Sequence, residues 1–187
     1  MQHLKRHNFV IFPYRPCEHG DGEFNNGGID LIREPHRITE IHELHGYPWF
    51  KEFFTKVNAS EGLFMTFGCA IGILDEFLCG YIDFSLRPNS DIRLRRQLAS
   101  MDDMFIAYLN HSIPDGEIRR KSIPYAQKIS EWKISPLEIH GHTYAKLNLT
   151  FHARQEEGVK WLIEHLQFFL TKYFLRNHSL SQSGKCT

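Results

Sequence analysis

Apolar and polar residues alternate with a period of two in two stretches of the chain. In residues 63–74, large apolar side chains alternate with mostly small ones, and a second alternating run continues after the turn residue Asp75. In residues 137–152, the odd positions are apolar and the even positions are polar, so the even positions should form a wet face. This pattern is typical of antiparallel strands with one face on a core. We therefore predict two β-hairpins, over residues 63–86 and 137–152.

Other stretches repeat their apolar residues at helical spacing. Residues 155–176 carry one apolar stripe with charged and polar side chains on the other side, which predicts a long C-terminal helix. A shorter helix is predicted over Pro48–Val57, where proline occupies the first helical position. Residues 90–112 fit a helix or a strand, since periodicity does not separate the two in short segments. Residues 118–135 are mixed and predict one helical turn, around residues 125–132.

These elements predict an α+β fold in one domain, with a mainly antiparallel sheet packed by helices that include the C-terminal one. A chain of 187 residues has the ordinary size of a single domain, and it buries a sizeable core without disulfides or metal. Neither an internal repeat nor a linker divides the sequence. We therefore assign residues 1–178 to the domain and residues 179–187 to a polar C-terminal tail.

The charge balance argues against one class of function. The chain has 22 lysine and arginine residues and 22 aspartate and glutamate residues, so its formal net charge is zero. Proteins that bind nucleic acids usually carry a basic excess, because the neutralisation of phosphates supplies much of their affinity. Nucleic-acid binding is therefore only a third hypothesis. The 15 phenylalanine residues predict a core with several aromatic clusters.

The four cysteine residues do not form a metal or redox motif. Cys17, Cys69, Cys79 and Cys186 have no C-x-x-C spacing, and we expect them to be reduced. The first residues lack the apolar segment of a signal peptide, and no apolar run reaches the roughly 18 residues of a membrane span. We therefore predict a cytoplasmic protein that has no cofactor and does not contact a membrane.

Three histidine residues are the candidates for a metal site. His140 and His142 stand at alternate positions of a predicted strand, which would place both imidazoles on one face, and His152 follows on the same face. The further ligands that usually accompany such a pair are missing from the residues that follow. A histidine-dependent hydrolase that uses His140, His142 and His152, with or without a bound metal, is therefore the alternative hypothesis. The preferred interpretation is a surface that binds a partner, and a solvated sheet face without a function also fits these residues.

Two further groups of residues are candidates for binding. Tyr144 and Lys146 continue the predicted wet face of the strand that carries the histidines. Arg93, Arg95 and Arg96 form a basic group, which suits an acidic protein or RNA. We therefore predict a binding surface made of the histidines, Tyr144, Lys146 and the three arginines.

The sequence contains no complete catalytic motif. It has neither a G-x-S-x-G nucleophile elbow nor a glycine loop with the spacing that binds phosphate. Asp83 is the one acidic residue within an apolar run, and the alternation places it on a solvent face together with Tyr81 and Ser85. We therefore predict no catalytic residues.

A binding function is the interpretation that fits these features best. Tyrosine and arginine are residue types that contribute strongly to protein interfaces. We predict a small cytoplasmic protein-binding module whose partner is another protein. Bacterial immunity proteins have a similar size and lack of motifs, so we predict that the chain inhibits a toxin, for example a nuclease, by steric occlusion of its active site.

Overall fold

A computed structural model of the protein describes residues 11–18, 24, 25 and 27–174. The strands within this part of the chain are β1 (Ile11–Phe12), β2 (Cys17–Glu18), β3 (Phe24–Asn25), β4 (Phe64–Leu74), β5 (Phe77–Leu86), β6 (Ser130–Ile139) and β7 (His142–Ala153). The α-helices are α1 (Pro48–Val57), α2 (Ile92–Arg96), α3 (Met101–Ser112), α4 (Gly116–Ile129) and α5 (Glu156–Phe168). Short 3-10 helices span Pro35–Glu40, His42–Leu44 and Gln97–Ser100, and a π-helix, Phe169–Tyr173, continues α5.

The main sheet contains five strands in the order β1-β6-β7-β5-β4. The four long strands pair antiparallel, whereas β1 lies parallel to β6. Strands β2 and β3 form a separate antiparallel pair. The predicted α+β class and both predicted hairpins are confirmed, although the second hairpin begins earlier than predicted, at Ser130. The predicted polar tail, residues 179–187, lies outside the described residues.

The main core lies between the helices and one side of the sheet, which we call the helix-covered face. Its buried strand residues include Leu78, Ile82, Phe84, Leu147, Leu149 and Phe151. Aromatic rings from the helices pack onto them, and the ring of Phe105 lies 5.8 Å from that of Trp132 and 5.5 Å from that of Phe169. The predicted aromatic clusters are thus confirmed. They form because alternate strand residues and one stripe of each helix are apolar.

The other side of the sheet, which we call the second face, has a smaller core at one end. This core contains Phe12, Tyr14, Met65, Phe67, Leu137 and Ile139. Phe12 and Tyr14 belong to residues 11–16, which therefore cover this end of the second face. The ring of Phe12 contacts those of Tyr14 and Phe67, with centroids 5.5 Å and 5.0 Å away.

A β-bulge between Thr66 and Gly68 changes which face the residues of β4 occupy. The sequence pattern predicted that Phe67 shares a face with Cys69. Instead Phe67 packs in the core of the second face, whereas Cys69 packs against the main core. The prediction is wrong because a bulge adds one residue to a strand and so reverses the alternation beyond it.

Two segments without a clear pattern are helical. Residues 90–112, for which both helix and strand fitted, contain α2 and α3. The single turn predicted within 118–135 is wrong, because α4 extends over Gly116–Ile129 and is followed at once by β6. The carboxylate of Asp115 caps α4 by accepting hydrogen bonds from the backbone N–H groups of Glu117 and Ile118, at 2.8 and 2.9 Å.

The packing of α3 on α5 makes stability depend on pH through His165. The Nδ1 atom of His165 lies 3.1 Å from the hydroxyl oxygen of Tyr108. Burial lowers the pKa of His165 below its ordinary value, against the opposing charge of Glu164. The folded chain therefore favours the neutral imidazole, and the unfolded chain takes up the proton first as the pH falls.

We expect the free energy of unfolding to decrease as the pH is lowered from about 7.5 to about 5.5. The contribution of neutral His165 to stability is complete at pH values above about 6.5, which is the pKa of its imidazole in the unfolded chain. It is lost as the pH falls towards the lower pKa of this imidazole in the folded chain. Urea titrations at several pH values should show a smaller decrease for His165→Gln than for the unchanged protein. The control is His111→Gln, at an exposed position. An equal pH dependence in all three proteins would contradict this assignment.

Candidate functional site

The three candidate histidines lie at two distant places. His140 is in the turn between β6 and β7, where it and Gly141 have φ angles of 51° and 79°. Its predicted position within a strand is wrong, because two-residue hairpin turns of this kind need positive φ angles. His142 begins β7, and His152 lies near its other end, about 30 Å away along the extended chain. The three imidazoles therefore cannot hold one metal ion.

The other potential metal ligands are also dispersed. Within the described residues, no group of three or more histidine, cysteine, aspartate or glutamate side chains is placed to hold a metal ion. His152 instead lies beside the ring of Phe77, with ring centroids 6.3 Å apart. Cys69 and Cys79 are free thiols on opposite faces of the sheet.

The basic helix α2 lies against the strand that carries the other candidate residues. The guanidinium carbon of Arg95 lies 4.6 Å from the centroid of the Tyr144 ring, which is a cation–π contact. Arg95 also donates a hydrogen bond from Nη2 to the carbonyl oxygen of Pro88. The hydroxyl group of Tyr144 donates to the same oxygen, at 3.5 Å. Helix α2 and the first residues of β7, which are about 50 residues apart in the sequence, thus form one surface.

We call this surface the basic patch, and it consists of Arg93, Arg95, Arg96, His140, His142 and Tyr144. Arg93 and Arg96 are exposed on α2, and His142 is exposed two positions before Tyr144 on β7. Of the eight predicted binding residues, Arg95 and Tyr144 are in contact, Arg93 and Arg96 neighbour Arg95 on α2, and His140 and His142 precede Tyr144 at the β6–β7 turn and the start of β7. The sequence did not indicate the role of Pro88, whose carbonyl oxygen joins the two halves of the patch.

One acidic residue offsets part of the charge of the basic patch. Asp91 precedes α2, and its Oδ1 atom accepts a hydrogen bond from the backbone N–H of Arg93 at 2.7 Å. Its Oδ2 atom lies 2.6 Å from Nη2 of Arg93. These hydrogen bonds lower the pKa of Asp91 to about 2. Within the described residues, Arg95 and Arg96 have no ion-pair partner, so the patch keeps a net positive charge.

Lys146 does not lie on a wet face. Its side chain is 8% exposed, and its Nζ atom lies 2.7 Å from Oδ2 of Asp83, whose side chain is 7% exposed. Lys146 also donates to the hydroxyl oxygen of Tyr14 at 3.1 Å, and Asn148 donates to Oδ1 of Asp83 at 2.7 Å. The expectation that Lys146 and Asp83 face solvent is therefore wrong. Residues 11–16 cover this part of the second face.

The electrostatics of this buried cluster favour a structural role. Both carboxylate oxygens of Asp83 accept a hydrogen bond, and the cation of Lys146 is paired with this anion. Burial, with the negative charge of Asp83, raises the pKa of the Tyr14 hydroxyl. The same two causes raise the pKa of Tyr81 to about 12. Both tyrosines therefore keep their protons near neutral pH, and the cluster holds residues 11–16 against the sheet.

No match to this chain was found among protein-family models, curated proteins or solved structures. Within the described residues, no helix has the length and apolar character needed to cross a membrane. The function of the protein is therefore inferred from the chemistry of its own residues, and the basic patch is the surface on which two groups of predicted binding residues come into contact, through Arg95 and Tyr144.

Proposed function

We propose that this protein is a protein-binding module whose basic patch binds an acidic segment of another protein. The observation that carries the proposal is the contact between Arg95 and Tyr144, which joins α2 and β7 into one surface. As an inhibitor of the immunity type, the protein would act by covering the active site of its partner. Binding would need no catalytic residue and no cofactor.

The chemistry of the patch supports recognition of carboxylate groups. An arginine side chain donates several hydrogen bonds in a fixed planar arrangement that matches a carboxylate. Arg95 is held in place by Tyr144 and by the carbonyl oxygen of Pro88, and its Nε atom is buried, so it contributes a fixed positive charge to the patch. Arg96, the next residue of α2, is exposed and offers its guanidinium group, and His142, two positions before Tyr144 on β7, is exposed and adds a hydrogen-bonding group.

Charge complementarity also narrows the class of partner. A nuclease binds nucleic acid through a basic surface, which the basic patch would repel. A partner with aspartate and glutamate residues around its active site would instead attract the patch. We therefore favour an acidic protein over the nuclease given as an example in the sequence-based prediction.

Charge reversal at Arg95 should weaken binding to an acidic peptide by roughly tenfold or more, because it removes an attraction and adds a repulsion. The probe is a fluorescent peptide of ten glutamate residues, and fluorescence anisotropy measures its affinity for the unchanged protein and for Arg95→Glu. The matched control is Arg120→Glu, an exposed arginine on α4, which should leave the affinity within about twofold.

The affinity for a single-stranded oligonucleotide with the same charge as the peptide distinguishes this proposal from nucleic-acid binding. Tighter binding to the oligonucleotide, with a steep salt dependence, would favour the nucleic-acid hypothesis and overturn the proposal. Equal loss of peptide affinity in Arg95→Glu and Arg120→Glu would also overturn it, since the patch would then be no more than part of a general positive field. Far-ultraviolet circular dichroism of each variant checks that the fold is kept.

A further inference from the structure

A cavity of about 390 Å³ lies between residues 31–38 and the C-terminal half of α1 with its following turn. Leu31 and Phe54, which are 3% and 1% exposed, lie at its inner end. Pro35, Thr55 and Ser60 also line the cavity and are exposed, so it opens to solvent. It shares no residue with the basic patch.

Hydrogen bonds fix both walls of this cavity. On one side, Oδ1 of the buried residue Asp30 accepts from the backbone N–H groups of Ile32 and Arg33, at 3.1 and 3.3 Å. On the other side, the guanidinium group of Arg87 donates to the carbonyl oxygens of Ala59 and Ser60. Arg87 is itself 9% exposed and donates to Phe64 O at 3.0 Å. These hydrogen bonds make the shape of the cavity part of the fold itself, as is usual for sites that bind small molecules.

The polar side chains that line the cavity are already engaged with the protein. Asn58 donates from Nδ2 to the carbonyl oxygen of Phe54 and to Oγ1 of Thr66, both at 2.8 Å, and its Oδ1 accepts from Thr66 N at 3.0 Å. The hydroxyl group of Thr55 donates to Lys51 O at 2.9 Å. The hydroxyl group of Ser60 donates to the carboxylate of Glu61. A charged ligand would lose its hydration here without gaining an equivalent partner.

We propose that this cavity binds a small, neutral, apolar molecule, such as a compound of one or two aromatic rings or a short alkyl chain. Its volume lies within the range of about 300–1,000 Å³ that is usual for ligand sites. An apolar cavity of about 150 Å³ suffices for benzene, so this one has room for a larger ligand of the same kind. The apolar surface of Leu31, Ile38 and Phe54 would supply the affinity.

The test uses the neutral probe N-phenyl-1-naphthylamine, whose fluorescence increases in apolar surroundings. Titration into the unchanged protein should give a saturable increase with one site per chain. Ala59→Phe places a large ring among the residues that line the cavity, and it should raise the dissociation constant at least about tenfold. The matched control is Ala107→Phe, at an exposed position of α3, which should not change it.

A second pair of variants keeps the test independent of the folding of Ala59→Phe. Thr55→Leu narrows the cavity, and its control Thr171→Leu removes the same kind of hydrogen bond, from Thr171 Oγ1 to Gln167 O, in another helix. Weaker probe binding in Thr55→Leu alone supports the site. Absence of saturable binding overturns the proposal. Unchanged affinity in both cavity variants also overturns it, because the probe would then bind elsewhere, for example to the exposed apolar residues Ile73 and Leu74.

Discussion

Lys146→Met should lower the free energy of unfolding by about 3–5 kcal/mol, because it leaves the carboxylate of Asp83 buried without its cation. The ion pair is almost fully shielded from water, and its 2.7 Å separation leaves no room for a solvent molecule between the charges. Tyr14 also loses the hydrogen bond that Lys146 donates to it. Urea unfolding, followed by tryptophan fluorescence, measures the change.

Two further variants show whether the loss comes from an unpaired charge. The double variant Lys146→Met with Asp83→Leu should recover at least about 2 kcal/mol of the free energy of unfolding that Lys146→Met loses. The reason is that removing both partners of a buried ion pair often changes stability little. Lys121→Met, which removes an exposed ion pair with Glu117, should cost less than about 1 kcal/mol. A similar small cost for Lys146→Met would show that water reaches the cluster, contrary to the structure.

Gly80→Ala should have the second largest effect, a loss of about 1–3 kcal/mol. Gly80 lies in β5 between Ile71 of β4 and Phe151 of β7. A Cβ atom at this position would lie 2.6 Å from Cζ of Phe151 and still closer to the carbonyl oxygen of Ala70. Because that oxygen is part of the backbone of the neighbouring strand, strand β4 must shift relative to β5, and the ring of Phe151 must move as well.

Gly72→Ala is the matched control for this prediction. Gly72 lies in the adjacent strand β4, and a Cβ atom there meets no other atom within 4 Å. The replacement should leave stability unchanged or raise it slightly, since alanine reduces the freedom of the unfolded chain. Thermal unfolding of both variants measures the difference, and equal midpoints would show that the contacts with Ala70 and Phe151 are relieved without cost.

The clearest sequence patterns predicted the elements that carry the core. Helix α1 and hairpin β4–β5 were predicted because their apolar residues keep helical or strand spacing over most of their length, apart from the bulge in β4. Helix α4 was missed for a local reason. Pro124 lies inside it, and only Ala126 and Ile129 are buried, so the helix has no long apolar stripe from which to predict it.

The errors at Asp83 and Lys146 have a different origin. The alternation of apolar and polar residues correctly placed Asp83 and Lys146 on the sheet face away from the main core. It carries no information on what covers that second face. Residues 11–16 cover this part of the sheet, and the partners of the two charges come from two strands, β5 and β7, and from this segment. The meeting of Arg95 with Tyr144 was likewise beyond local patterns, because it depends on how α2 returns to the sheet.

The hydrogen bond between Tyr14 and Lys146 joins residues that are 132 positions apart. Contacts between such distant residues form late, since the entropy of closing a long loop opposes them, whereas hairpins and helices form from neighbouring residues. During synthesis on the ribosome, residues 11–16 emerge long before β6 and Lys146. The first described residues to be made are therefore among the last to reach their native positions, and until then one end of the sheet stays uncovered.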